Sequence, residues 1–128
     1  MPRIHQEVTF AAPPAKVYQA LIDPAEHARF TGAPAEISPE EGGRFSVYGG
    51  KVLGRNLELV PDRRIVQAWR TADWPDGVYT LARFELRDEG GTTRLVFDQD
   101  AVADDAVAHL DPGWHRMYWE PLRRYLER

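Results

Sequence analysis

The chain contains no cysteine. Disulfide staples, thiolate metal sites and cysteine nucleophiles are excluded together. Serine is nearly as scarce. Ser38 and Ser46 are the two, and neither stands in the Gly-x-Ser-x-Gly turn that exposes a hydrolase nucleophile. No stretch approaches the roughly 18 apolar residues of a membrane-spanning helix. The opening residues, Met1 to Glu7, are too polar for a secretory leader, so the expected location is cytoplasmic. A block of one charge is missing as well. Sixteen basic and 20 acidic residues are interspersed, for a net charge of −4. That excludes the basic stripe of a nucleic-acid binder or an anionic-membrane reader.

The glycine pairs Gly42-Gly43, Gly49-Gly50 and Gly90-Gly91 do not precede a helix bearing a lysine, so they read as hairpin turns rather than phosphate loops. The histidines, His5, His27, His109 and His115, lack the spacing of a metal site and are expected at the surface. No metal or other cofactor is therefore expected. Glu58 and Glu85 are strand carboxylates, best read as members of solvated cross-strand ion pairs.

What the chain has in quantity is aromatic surface: 4 Trp, 5 Tyr and 5 Phe in 128 residues. The length predicts one domain, residues 1–128, large enough to bury about two-thirds of its unfolded surface. Residues 4–10 alternate, with Ile4, Gln6, Val8 and Phe10 on one side. Pro13-Pro14 breaks that strand, and Val17, Tyr18, Leu21 and Ile22 fall at helical spacing. Asp23-Pro24 caps and opens a second short helix that stops near Gly32.

The period then changes to two. Strands are predicted over residues 35–38, 44–48, 51–60, 63–71, 78–87 and 92–101. Leu53, Leu57 and Leu59 share one side of the fourth strand. In the last hairpin Ala82, Phe84 and Leu86 face Leu95, Phe97 and Gln99, while Arg83, Glu85, Arg87, Arg94 and Asp98 face water. Asp104-Asp105 opens a helical turn or two. A terminal helix then runs from Asp111-Pro112 with Trp114, Met117, Tyr118, Pro121, Leu122 and Tyr125 as its apolar stripe. Pro121 should kink it.

The fold class is thus α+β: a curved antiparallel sheet of six or seven strands gripping a long C-terminal helix, with two short helices after the first strand. One helix cannot fill the concavity of a large twisted sheet, so a cavity is expected between them. The order of elements resembles START-like helix-grip domains. Several motifs narrow this: Phe30-Thr31-Gly32-Ala33-Pro34-Ala35, Gly42-Gly43-Arg44-Phe45, Gly49-Gly50-Lys51-Val52-Leu53-Gly54, Leu59-Val60-Pro61 with Ile65-Val66-Gln67-Ala68-Trp69-Arg70, Trp74-Pro75-Asp76-Gly77 and Gly113-Trp114-His115-Arg116-Met117-Tyr118-Trp119-Glu120. Together they resemble the carboxy-terminal domain of the Aha-type activators of the ninety-kilodalton heat-shock chaperone's ATPase.

The ancestry of helix-grip domains implies a small apolar ligand in the cavity. The activator family implies the heat-shock chaperone as a partner. Trp69, Phe84, Phe97, Trp114, Met117 and Tyr118 are the candidate cavity wall. Gln67 and Gln99 share their parity and need partners, and His115 flanks the helix stripe as a candidate rim anchor. Trp74, in a Pro-Gly loop, is a candidate exposed aromatic. No catalytic residue is assigned. A cyclase-like or hydrolytic activity would draw on His115, Gln67 or Tyr48.

Overall fold

The structure is a computed structural model that describes residues 3–127. Strand β1 (Ile4–Phe10) buries alternate residues along its whole length. Pro14 opens α1 (Pro14–Ile22), whose Val17, Tyr18, Ala20, Leu21 and Ile22 are buried. The carboxylate of Asp23 accepts the backbone N–H groups of Ala25 at 2.8 Å and Glu26 at 3.1 Å, capping α2 (Pro24–Thr31). Gly32 ends α2 with φ 75°, a left-handed turn that glycine adopts without strain.

Six further strands follow: β2 (Glu36–Ile37), β3 (Arg44–Val47), β4 (Val52–Val60), β5 (Arg64–Thr71), β6 (Thr80–Asp88) and β7 (Thr93–Asp100). Each pairs antiparallel with its neighbours in one seven-stranded sheet of order β1-β7-β6-β5-β4-β3-β2. The first strand therefore pairs with the last at one edge, and the connection that holds α1 and α2 carries the chain across to β2 at the other.

The C-terminal helix is one continuous rod in three parts: α3 (Asp104–Trp114), a π-helical turn (His115–Trp119) and α4 (Glu120–Leu126). The backbone stays right-handed through both junctions, and the N–H of Glu120 bonds the carbonyl of His115, five residues back. That wider turn changes which side chains face the sheet. Trp119 and Leu122 are fully buried, while Met117 is 51% exposed. The uniform 100° wheel places Met117 in the stripe and leaves out Trp119; the extra residue of the π turn reverses the two. Trp119 stacks on Trp114 with ring centroids 5.5 Å apart, a pairing made possible by the five-residue spacing. Burying each such ring contributes about 2–3 kcal/mol.

Strand β4 departs from its leucine pattern. A bulge between Asn56 and Glu58 shifts the register, and Leu57 is 48% exposed. The inward positions are Gly54 and Asn56. A Cβ at Gly54 would stand 1.8 Å from the Ala68 carbonyl oxygen and 2.9 Å from the Phe45 ring. A residue without a side chain is therefore required there, and Phe45 covers the gap. Asn56 is fully buried, donating to the Ser38 carbonyl at 3.0 Å and accepting from Gln67 at 3.1 Å.

The strand carboxylate Glu58 forms the expected cross-strand pair, with Arg64 at 2.7 Å. Asp98 was expected on the wet face but is only 6% exposed, because His5 bonds it at 2.6 Å and Arg83 at 3.4 Å. Gly54→Ala should lower stability by about 3 kcal/mol through that clash. Gly113→Ala meets nothing within 4 Å and lies in a helix, so it should raise stability by about 0.5–1 kcal/mol. Urea-unfolding midpoints of the two variants check both signs.

Candidate functional site

The helix is held to the sheet by two tryptophan–glutamine bonds. On β1, Gln6 accepts the Trp119 indole N–H at 2.6 Å, and its amide donates to the Asp111 carbonyl at 2.7 Å and side chain at 2.7 Å. On β7, Gln99 accepts the Trp114 indole N–H at 2.8 Å and donates to the Thr80 hydroxyl at 2.9 Å, which in turn donates to the Trp69 carbonyl at 2.8 Å. Both amides are buried and fully partnered, as buried polar groups require.

Between the first half of the helix, the α2–β2 connection and the β3–β5 end of the sheet lies a groove of about 470 Å³. This is within the size range of small-molecule sites. Tyr48, Trp69, Trp114 and Tyr118 form its aromatic wall, with Leu110 and Val52 between them. Lys51, Thr71, Asp73 and His109 also line it, and Lys51, Asp73, His109 and Met117 are exposed, which puts them at a solvent-facing rim.

Trp69, Trp114, Met117 and Tyr118 come together at the groove. Phe84 and Phe97 lie in the packed core, 2% and 0% exposed, with Phe97 4.3 Å from the Trp114 ring. They support the wall rather than form it. Gln99 orients Trp114, and Gln67 bonds Asn56. His115 is exposed and does not line the groove. The residues considered for turnover, His115, Gln67 and Tyr48, thus stand in three separate settings. Trp74 is half-buried, edge-on to Trp69 at 5.8 Å, rather than a free loop aromatic.

Tyr48 has a left-handed backbone, φ 54°, which is uncommon for a bulky residue. Its hydroxyl donates to the Met117 carbonyl. Pro121 has no N–H to offer that carbonyl four residues back, so the tyrosine supplies the missing donor. The proline and the strained tyrosine are two halves of one contact.

His27 is 1% exposed, not at the surface. Its Nε2 shares a 2.7 Å hydrogen bond with the Tyr118 hydroxyl, and its Nδ1 has no partner among the described residues. Burial pushes its pKa down to about 4, so the ring is neutral, and burial likewise pushes the Tyr48 and Tyr118 phenols up. Nothing local marks this residue's role: it sits at a helical spacing from Phe30, but a lone histidine in a polar helix reads as solvated. Thr71, Asp73 and Lys51 were likewise missed, because strand ends carry no periodic signal.

Among the described residues no group of three or more His, Asp or Glu side chains is placed to hold a metal. No helix among them is long and apolar enough to cross a membrane.

A curved antiparallel sheet clasping a C-terminal helix, with two short helices after the first strand, defines a START-like helix-grip domain. Within that class the sequence matches the family described as Activator of Hsp90 ATPase homolog 1-like protein over residues 11–127, and the chain belongs to it. It is 29% identical over 122 residues to the human activator of 90 kDa heat shock protein ATPase homolog 1, covering 95% of this chain and 36% of that one. It is 31% identical over 108 residues to the corresponding activator homolog of Dictyostelium discoideum, covering 84% and 28%. The chain thus spans about a third of the length of these curated relatives. Among solved structures, an HSP90 activator from Plasmodium falciparum superposes with a TM-score of 0.92 at 21% identity, covering 98% of this chain and 96% of that one. The Aha1 dimer from Colwellia psychrerythraea superposes with a TM-score of 0.84 at 20% identity, covering 99% and 97%. These two likenesses concern the fold.

The depressed His27 pKa has a stability consequence. The unfolded chain takes up this proton near 6.5, while the folded chain resists it down to about 4. This contribution is complete above the unfolded value and is lost as pH falls through the window between the two. Between about pH 7 and about pH 4.5 the wild type should lose about 2–3 kcal/mol more than His27→Gln does, read from urea unfolding at each pH.

Proposed function

We propose that the protein binds a small, largely apolar molecule in the groove between sheet and helix. The observation that carries this reading is the aromatic wall of Tyr48, Trp69, Trp114 and Tyr118 around about 470 Å³. Those rings are fixed by bonds made elsewhere: Trp114 by Gln99, Tyr118 by His27 and Tyr48 by the Met117 carbonyl. A wall fixed in this way needs little reorganisation on binding, which favours affinity. The protein acts as a carrier or sensor of that molecule, and no turnover is assigned. Lipids, sterols, flavonoids and polyketides, titrated against intrinsic tryptophan fluorescence and native mass spectrometry, should give at least one class with a Kd in the micromolar range. Ala72→Trp, which fills the rim, should weaken that binding about tenfold without changing the melting temperature. Failure of every class to bind below about 1 mM overturns the reading.

A second reading is favoured by family membership itself. The human relative is named for activating the ATPase of the 90 kDa heat-shock protein, so the domain would dock on such a chaperone and alter its turnover. Titration of the chaperone with this protein should then change ATPase rate, and a complex should form in sedimentation. An unchanged rate and no complex at about 100 μM remove this reading.

A further inference from the structure

We propose that the groove is selective for planar aromatic anions, with the Lys51 ammonium meeting the ligand's acid group at the rim while the Trp69, Trp114 and Tyr118 rings hold its aromatic body. This inference rests on the ligand-binding reading and adds the chemical class.

The rim carries charge of both signs, and the two signs are differently engaged. Asp73 accepts the Thr71 hydroxyl, and His109 and Arg70 lie near enough to favour its charged form. Its carboxylate is already compensated and has little attraction left for a cationic guest. Lys51 has no hydrogen bond to its side chain and no ion pair among the described residues. Its backbone is nevertheless fixed. The Lys51 carbonyl accepts the Ala72 N–H at 2.8 Å, and the next residue pairs with Thr71 across β4 and β5. The ammonium is thus tethered beside the mouth of an apolar groove with no ion pair of its own among the described residues.

A charge in that position rewards a guest that is apolar over most of its length and negative at one end. The wall sets the shape. Trp69 and Trp114 lie 5.3 Å apart, Trp114 and Tyr118 5.1 Å apart, and the rings are tilted by 41° and 51°. These surfaces offer a flat body both stacking and edge contacts. The exposed Met117 at the rim supplies a soft, adaptable cover.

The test compares 2-naphthoate, 2-naphthalenemethanol and a naphthylmethyl-trimethylammonium salt by isothermal titration calorimetry on the full chain. Naphthoate should bind about five-fold more tightly than the alcohol, the size an exposed ion pair supplies, and the ammonium salt more weakly than either. Lys51→Met should erase the preference for the acid while leaving alcohol binding unchanged, and Lys51→Arg should keep it. Lys51 and Lys16 are the chain's lysines, so acylation with an N-hydroxysuccinimide ester gives an independent readout. Naphthoate should protect Lys51 and leave Lys16 reactive. Equal affinity for acid and alcohol, tighter binding of the cation, or a preference that survives Lys51→Met overturns the anion inference while the groove remains a binding site. If none of the three probes binds below about 1 mM and the wider panel also fails, the groove itself is not a site.

Discussion

Two indole N–H groups, buried between sheet and helix, govern how this fold is put together. Each must find an acceptor or leave an unpaired donor in a dry interior, which costs about 1–3 kcal/mol. Gln6 on one edge strand and Gln99 on its neighbour supply those acceptors. Because the two strands are adjacent, the glutamines fix the helix at two points along its length. Trp114 and Trp119 must then share a face although five residues separate them, and the π turn brings this about. Pro121 follows directly. Its missing N–H frees the Met117 carbonyl, and Tyr48 takes that carbonyl from across the groove. The clasp, the widened turn and one wall of the groove are therefore a single mechanical unit.

Much of this was legible from residues alone. The alternation of β1, the Asp23 cap, the glycine hairpins and the inward set Phe84, Leu86, Leu95 and Phe97 follow directly from local rules. The parts that were not legible share a cause: each depends on a contact distant in sequence. Trp119 reads as an outward residue unless the turn before it widens, and its partner Gln6 stands over a hundred residues earlier. Leu57 reads as core until the β4 bulge turns it out. His27 reads as solvated until Tyr118 is brought to it. Gln99, a plausible ligand anchor by parity, is committed to the helix instead. Periodicity shows which residues share a face but not which of them border empty space, so Phe84 and Phe97 were inseparable from Trp69 and Trp114.

Division of labour between support and contact explains the groove. Phe97, Phe84 and the glutamines stand behind the wall and hold it still. Trp69, Trp114 and Tyr118 stand in front and are free on one side. A cavity this close to the core would collapse if its wall could relax, and the polar ties on three of its rings prevent relaxation. Family membership and this cavity are compatible without one implying the other. The named activity of the curated relatives belongs to proteins about three times as long, and the groove residues lie within the stretch that matches the family.

The π turn also bears on how such chains vary. A ring closed by a bond five residues back holds one more residue than an ordinary helical turn. Removing His115 or Arg116, both exposed and outside the groove wall, would restore four-residue spacing and still leave both indoles on the sheet-facing side, close to Gln99 and Gln6. The pair His115-Arg116 is therefore a place where length is negotiable while the clasp is not.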